Sequence, residues 1–259
     1  RGPPGREGGG AHPRGLGVSG RTPPAPGRWG AARAPPIIPI MMRSLAFLLV
    51  LFAASALAAP APTPEEYAAL KAKFLGGDAD VDYLELRLGH AASPEYHPNS
   101  PDSLIRRKAV QNALEAGKFE EAKTLVEHWL NEEFLNPFAH LGASRVYKEL
   151  GDARKLAFHD AVVDGLFTSI CRADEGQSMR RPCRVLSIDE QHFYLVMNGM
   201  MVDGQYGQEC FDKQPCEVYE VTKMNTNRKY TLYFDISLPL AWQEARRKEA
   251  AAAPVSQKP

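Results

Sequence analysis

Long apolar runs are scarce in this chain of 259 residues: there is one, residues 45–58 (LAFLLVLFAASALA). That scarcity excludes a polytopic membrane protein, which needs repeated spans of about 20 apolar residues. An excess of one charge is also missing, since 31 basic residues balance 31 acidic ones. Cysteine is sparse, four in all, and the first is Cys171. Beyond residue 58 the chain has no P-loop, no dinucleotide-binding glycine motif, no G-x-S-x-G elbow, no H-E-x-x-H and no redox C-x-x-C, so the common sequence signs of nucleotide, hydrolase, metalloprotease and thioredoxin chemistry are lacking. What is present, 44% apolar and 24% charged residues, suits a folded protein with enough chain for one large domain or two small ones.

The averages conceal unlike segments. Residues 1–40 contain 10 Gly, 9 Pro, 6 Arg and 5 Ala, with one acid (Glu7) and no Lys. Such a stretch cannot bury enough surface to offset its ordering entropy, and it is expected to be a disordered tail. Its GC-codon composition suggests translated upstream sequence, with the natural start at Met41 or Met42; the alternative is a basic arm for an acidic partner. Residues 41–58 have a basic start at Arg43, the apolar run, and Ala56-Leu57-Ala58. That order describes a secretory signal peptide, and the run is short for a membrane anchor. No Cys follows the expected cut, which argues against a lipid anchor. The chain is therefore expected to be exported, periplasmic or secreted, with no stable membrane anchor after cleavage. Removing residues 1–58 takes away seven Arg and one Glu, leaving 24 basic and 30 acidic residues, a net charge of −6. A mildly acidic body is a poor match for nucleic acid.

Residues 59–168 read as helical. Thr63-Pro64-Glu65-Glu66 is a capping box, Tyr67, Leu70 and Phe74 share one face, and Gly76-Gly77 stops the helix. A short helix is expected over 83–90, then four over 102–116, 118–131, 137–150 and 152–168. Gly117 and Gly151 lie 34 residues apart, the tetratricopeptide period, each where a turn between antiparallel helices needs a left-handed residue. Ala122 suits the close helix contact, whereas Leu156 stands at the matching place in the second unit. Two units fall short of the three a solenoid normally needs, so flanking segments must cap the stack. A plain helical bundle is the competing reading.

Residues 169–240 change period. Val185, Leu186 and Ile188 begin a β-like run; 193–197 suits strand or helix, with Asp189-Glu190 favouring a helical turn. Residues 218–222 read as a strand, and 225–228 (NTNR) as a turn. Tyr230, Leu232, Phe234 and Ile236 alternate with polar positions, the clearest strand in the chain. The expected fold is α+β: antiparallel, tetratricopeptide-like helical hairpins packed against a small C-terminal antiparallel sheet. Residues 241–259 read as a flexible, Ala-rich tail. In an oxidising compartment Cys171, Cys183, Cys210 and Cys216 suggest two disulfides. Three pairings are open, and the local one, Cys171–Cys183 with Cys210–Cys216, is the simplest. The spacings do not suit a zinc knuckle, and no metal or cofactor is expected.

Several blocks carry a likeness to a known family: Asp82-Tyr83-x-x-Leu86-Arg87-Leu88, Ala139-His140, Leu150-Gly151-Asp152 with Ala157-x-His159, Ser169-Ile170, and Leu232-Tyr233-Phe234-Asp235. In order and spacing, from about Tyr67 to Ile236, the chain resembles the bacterial domain-of-unknown-function 4919 family. The resemblance implies an exported bacterial protein with a tetratricopeptide-like helical front, and no particular activity. Where the family carries a Gly-Asp-Gly-x-Ser type loop, this chain has Asp174-Glu175-Gly176-Gln177-Ser178 between two cysteines.

Candidate chemistry centres on His140 and His159. Counted from the turn at Gly151, their levels on adjacent helices differ by about 4–5 Å at 1.5 Å rise per residue. With Asp160 they could form an acid–base or metal site, or they could be packing histidines. Arg87, near Tyr83, could hold an acidic ligand or fix a neighbouring carboxylate. Asp174 and Ser178 could bind a cation or phosphate, or belong to a solvated disulfide loop. Met197, Met200 and Met201 read as core or an adaptable contact surface. Two functions follow as expectations. One is a binding or scaffolding module whose helical groove receives a peptide or protein. The other is a cell-envelope hydrolase built on His140, His159 and an acid. Convergence in an open pocket would favour the enzyme; burial with mutual satisfaction would count against it.

Overall fold

The computed structural model describes residues 61–98 and 102–252, all within one unit, Ser55–Pro259. The stretches expected to be a disordered tail (1–40) and a signal peptide (41–58), and the last residues, 253–259, lie outside the described residues.

Helix α1 (Pro64–Leu75) starts at the expected box: the Thr63 hydroxyl accepts from the Glu66 amide at 3.3 Å, and the Glu66 carboxylate accepts from the Thr63 amide at 2.8 Å. Both interactions satisfy amides that the first turn cannot pair. Helix α2 (Tyr83–Ala91) is capped by Asp82. Two hairpins follow, α3 (Ser103–Glu115) with α4 (Phe119–Glu132), and α5 (Pro137–Leu150) with α6 (Ala153–Ile170). Gly151 ends α5 with φ 73°, the left-handed value the turn requires. Asn136 caps α5 by accepting from the amides of Phe138 and Ala139. α3 packs on α4, α4 on α5 and α5 on α6. Ala122, Val126, Ala143 and Val146 are wholly buried between them. The small side chains allow the helices their close approach, while Leu156 packs only partly buried at the edge of this cluster.

The second region begins with β1 (Cys183–Arg184), followed by α7 (Ile188–Met197), β2 (Met200–Glu209), a short 3-10 turn at Phe211–Lys213, β3 (Pro215–Lys223), β4 (Arg228–Asp235) and α8 (Ser237–Ala252). The strands are ordered β1-β4-β3-β2. The fold is α+β as expected, with one correction: the sheet is mixed. β2/β3 and β3/β4 are antiparallel, but β1 runs parallel to β4, pairing Cys183 with Phe234.

Three local outcomes differ from the sequence reading. Ser187 accepts from the Glu190 amide at 3.2 Å and starts α7, so of the β-like run Val185 and Leu186 only bridge β1 and α7, and Ile188 opens the helix. β2 was not anticipated, because this edge strand is exposed along nearly its whole length and has no alternation to read. The segment from Ala241, expected as a flexible tail, continues α8 to Ala252.

Helices and sheet meet through α7. Phe193, fully buried, sits edge-on to Phe138 of α5 with ring centroids 5.7 Å apart. Trp129, Tyr219, Leu232 and Phe234 complete this core. Each such side chain contributes roughly 1.5–3 kcal/mol by burial.

Candidate functional site

His140 and His159 do meet. Their Nδ1 atoms are 2.9 Å apart, and His140 Nε2 lies 2.8 Å from the Phe134 carbonyl. A carbonyl only accepts, so His140 carries its proton on Nε2 and presents a bare Nδ1; His159 Nδ1–H must then donate to it. Tyr147 stacks on His159 at 3° and 5.4 Å, and Phe74 meets His140 edge-on. Both histidines are buried. Desolvation pushes His140 down to about 3 and His159 to about 4, so both are neutral at physiological pH. Asp160 does not join them; it accepts from the Ser144 hydroxyl at 2.5 Å. The arrangement ties the α4–α5 junction to α6 and leaves no open face for a substrate at the two rings. Among the described residues no group of three or more His, Cys, Asp or Glu is placed to hold a metal ion.

Arg87 is also interior. It is 1% exposed and forks onto Glu190 of α7, Nε to Oε1 at 2.8 Å and Nη2 to Oε2 at 2.6 Å. Its remaining donors reach the carbonyls of Ser169 at 2.7 Å and Arg184 at 2.9 Å. The Leu186 amide adds a third bond to Glu190. This strut joins α2, the end of α6, β1 and α7, which is the second of the two readings for Arg87. Tyr83 is buried too; its hydroxyl donates to the Ala79 carbonyl at 3.0 Å and its ring covers Gly165, where a Cβ would clash with it.

The loop after α6 is closed by the Cys171–Cys183 disulfide, and Cys210–Cys216 closes the second; both are the local pairs. Gly176, at φ 81°, lies against the first disulfide with no room for a side chain. Asp174 pairs with Arg181, and Ser178 is exposed. Met200 packs against the core, whereas Met197 and Met201 face outward.

A groove that the sequence reading did not single out is different in character. About 150 Å³ in volume, it lies between α3 and α5, with Trp129 of α4 and Val196 of α7 in its lining. Val110, Leu114, Phe138 and Leu141 supply apolar walls. Arg107 and Arg145 supply its charge. The Arg107 guanidinium stacks over Phe138 at 4.4 Å, and neither arginine has a carboxylate partner among the described residues. Trp129 is 1% exposed, and its indole N–H is buried with no hydrogen-bond partner. A signal for this surface existed in the sequence: a shift of 34 residues carries 107 onto 141 and 111 onto 145, so the lining uses equivalent positions of the two hairpins.

Set against family models, curated proteins and solved structures, the chain matches none of them. No described helix is long and apolar enough to cross a membrane.

Proposed function

We propose that this chain is an exported binding module, periplasmic or secreted, whose helical-repeat groove receives a segment of a protein or peptide partner. One observation carries the reading: the α3–α5 groove combines apolar walls with polar donors that nothing else among the described residues uses. Two disulfides and the apolar, signal-like run at 45–58 support export. The resemblance to the bacterial domain-of-unknown-function 4919 family points the same way. The hydrolase reading gains nothing from the geometry, because the His140–His159 pair is buried and hydrogen-bonded within the protein.

The test is selection of random peptides on the oxidised protein, repeated with Val196→Glu. Val196 is 55% exposed and lines the groove, so this variant keeps the fold and places a carboxylate where it can engage the arginines. The reading predicts enriched peptides that the variant no longer binds. Failure to enrich any sequence, or equal binding by the variant, would refute it.

A further inference from the structure

The groove's polar groups have one sign in common. Arg107 approaches from α3 and Arg145 from α5, and Trp129 of α4, whose buried indole N–H has no partner, also lines the groove; all are donors, and no acidic residue is in the lining. Arg145 is exposed and Arg107 half-buried, so both heads stand at the rim while the apolar walls lie deeper. The body around them is acidic overall, with 30 acidic against 24 basic residues after position 58, so two arginines flanking one apolar groove form a local patch of the opposite sign. A buried N–H without an acceptor is unfavourable, and an incoming carbonyl would relieve it.

Resting on the groove as the binding surface, we propose that its occupant is a peptide segment in which one bulky apolar side chain lies between two carboxylate side chains. The volume of about 150 Å³ admits a single Leu- or Phe-sized side chain. The two arginines, one on each wall, then meet a carboxylate on either side of it, where bidentate pairing is available. The Trp129 N–H donates to a backbone carbonyl of the inserted residue. Apolar burial supplies part of the affinity, and the charges supply the choice of sequence.

The experiment uses blocked nine-residue peptides, acetylated and amidated, with Glu-Phe-Glu, Gln-Phe-Gln or Lys-Phe-Lys at the centre of a Gly/Ser frame, titrated calorimetrically into the oxidised protein. A fourth peptide ends in Gln-Phe with a free terminal carboxylate. The Glu-Phe-Glu peptide is expected to bind about tenfold or more tightly than the Gln-Phe-Gln peptide, the scale of one charge-assisted pair. That preference should disappear with Arg145→Glu and with Arg107→Gln, each checked for an unchanged circular dichroism spectrum. Equal binding of all three central sequences would overturn the inference yet leave the groove as a binding surface. Tightest binding by the free terminal carboxylate would overturn it in favour of a chain-end ligand. If no peptide binds, the inference and the groove reading fall together.

Discussion

The two arginine sites of the helical region make opposite use of the same side chain. Arg87 is sealed inside and spends its donors on Glu190 and two carbonyls. Arg107 and Arg145 stand beside an apolar groove with no carboxylate of their own. The histidine pair belongs with Arg87, its hydrogen bonds directed inward to a neighbouring ring and a backbone carbonyl. The contrast teaches that titratable residues brought together by a fold are not thereby a reactive site. What matters is whether their hydrogen-bonding capacity is already used.

The comparison breaks most visibly at the strut. Arg87→Met strands the Glu190 carboxylate in the interior and is expected to cost about 3–5 kcal/mol in urea unfolding. Adding Glu190→Leu should restore a large part of that, because apolar replacement of a buried pair is often close to neutral. A double variant no more stable than the single one would show that the pair's attraction, not its burial, holds the helices.

Acid is the next lever. His140 and His159 titrate in the folded state far below the usual 6.5, so the unfolded chain takes up protons first as pH falls. Stability is therefore full above about pH 7, declines from 6.5 towards 4, and levels off below the folded values. At pH 5 the loss is about 4 kcal/mol for the pair. His159→Phe should flatten this profile while lowering stability at pH 7; an unchanged slope would place the acid sensitivity elsewhere.

The disulfides sharpen a second contrast, between the helices and the region after α6. Replacing Cys171 and Cys183 with Ala should cost about 3 kcal/mol, and the shorter Cys210–Cys216 loop about 2 kcal/mol, in the chain-entropy account. Thermal unfolding of the two double variants checks the order. Smallest in stability, yet most telling, is Trp129→Phe. Removal of an unpaired buried N–H should leave stability within about 1 kcal/mol of the parent, while weakening peptide binding several-fold. A purely structural Trp would show the reverse.

Much of the architecture was legible beforehand, for identifiable reasons. The capping box at Thr63, the turn glycines 34 residues apart and the alternation from Tyr230 are local signals, and each sits where expected. β2 carried no such signal, because an edge strand exposed on both faces has no buried side to mark its period. The parallel β1 depends on where the chain returns after the Cys171–Cys183 loop, which two residues of strand cannot announce. The meeting of His140 and His159 followed from counting outward from Gly151, but the covering of His140 by Phe74 depends on how α1 packs on the α5–α6 hairpin. The groove was hidden for the same reason: Arg107, Trp129 and Arg145 are ordinary helical residues until α3, α4 and α5 pack.

The most direct measurement follows the side-chain resonances of Trp129, His140 and His159 by proton–nitrogen correlation NMR during titration with the Glu-Phe-Glu peptide, with Trp129→Phe identifying the indole signal. The account predicts that the Trp129 N–H shifts downfield on saturation, as it gains an acceptor, while both histidine rings stay in place and neutral. An indole signal that does not move, or histidine signals that respond to the peptide, would contradict it.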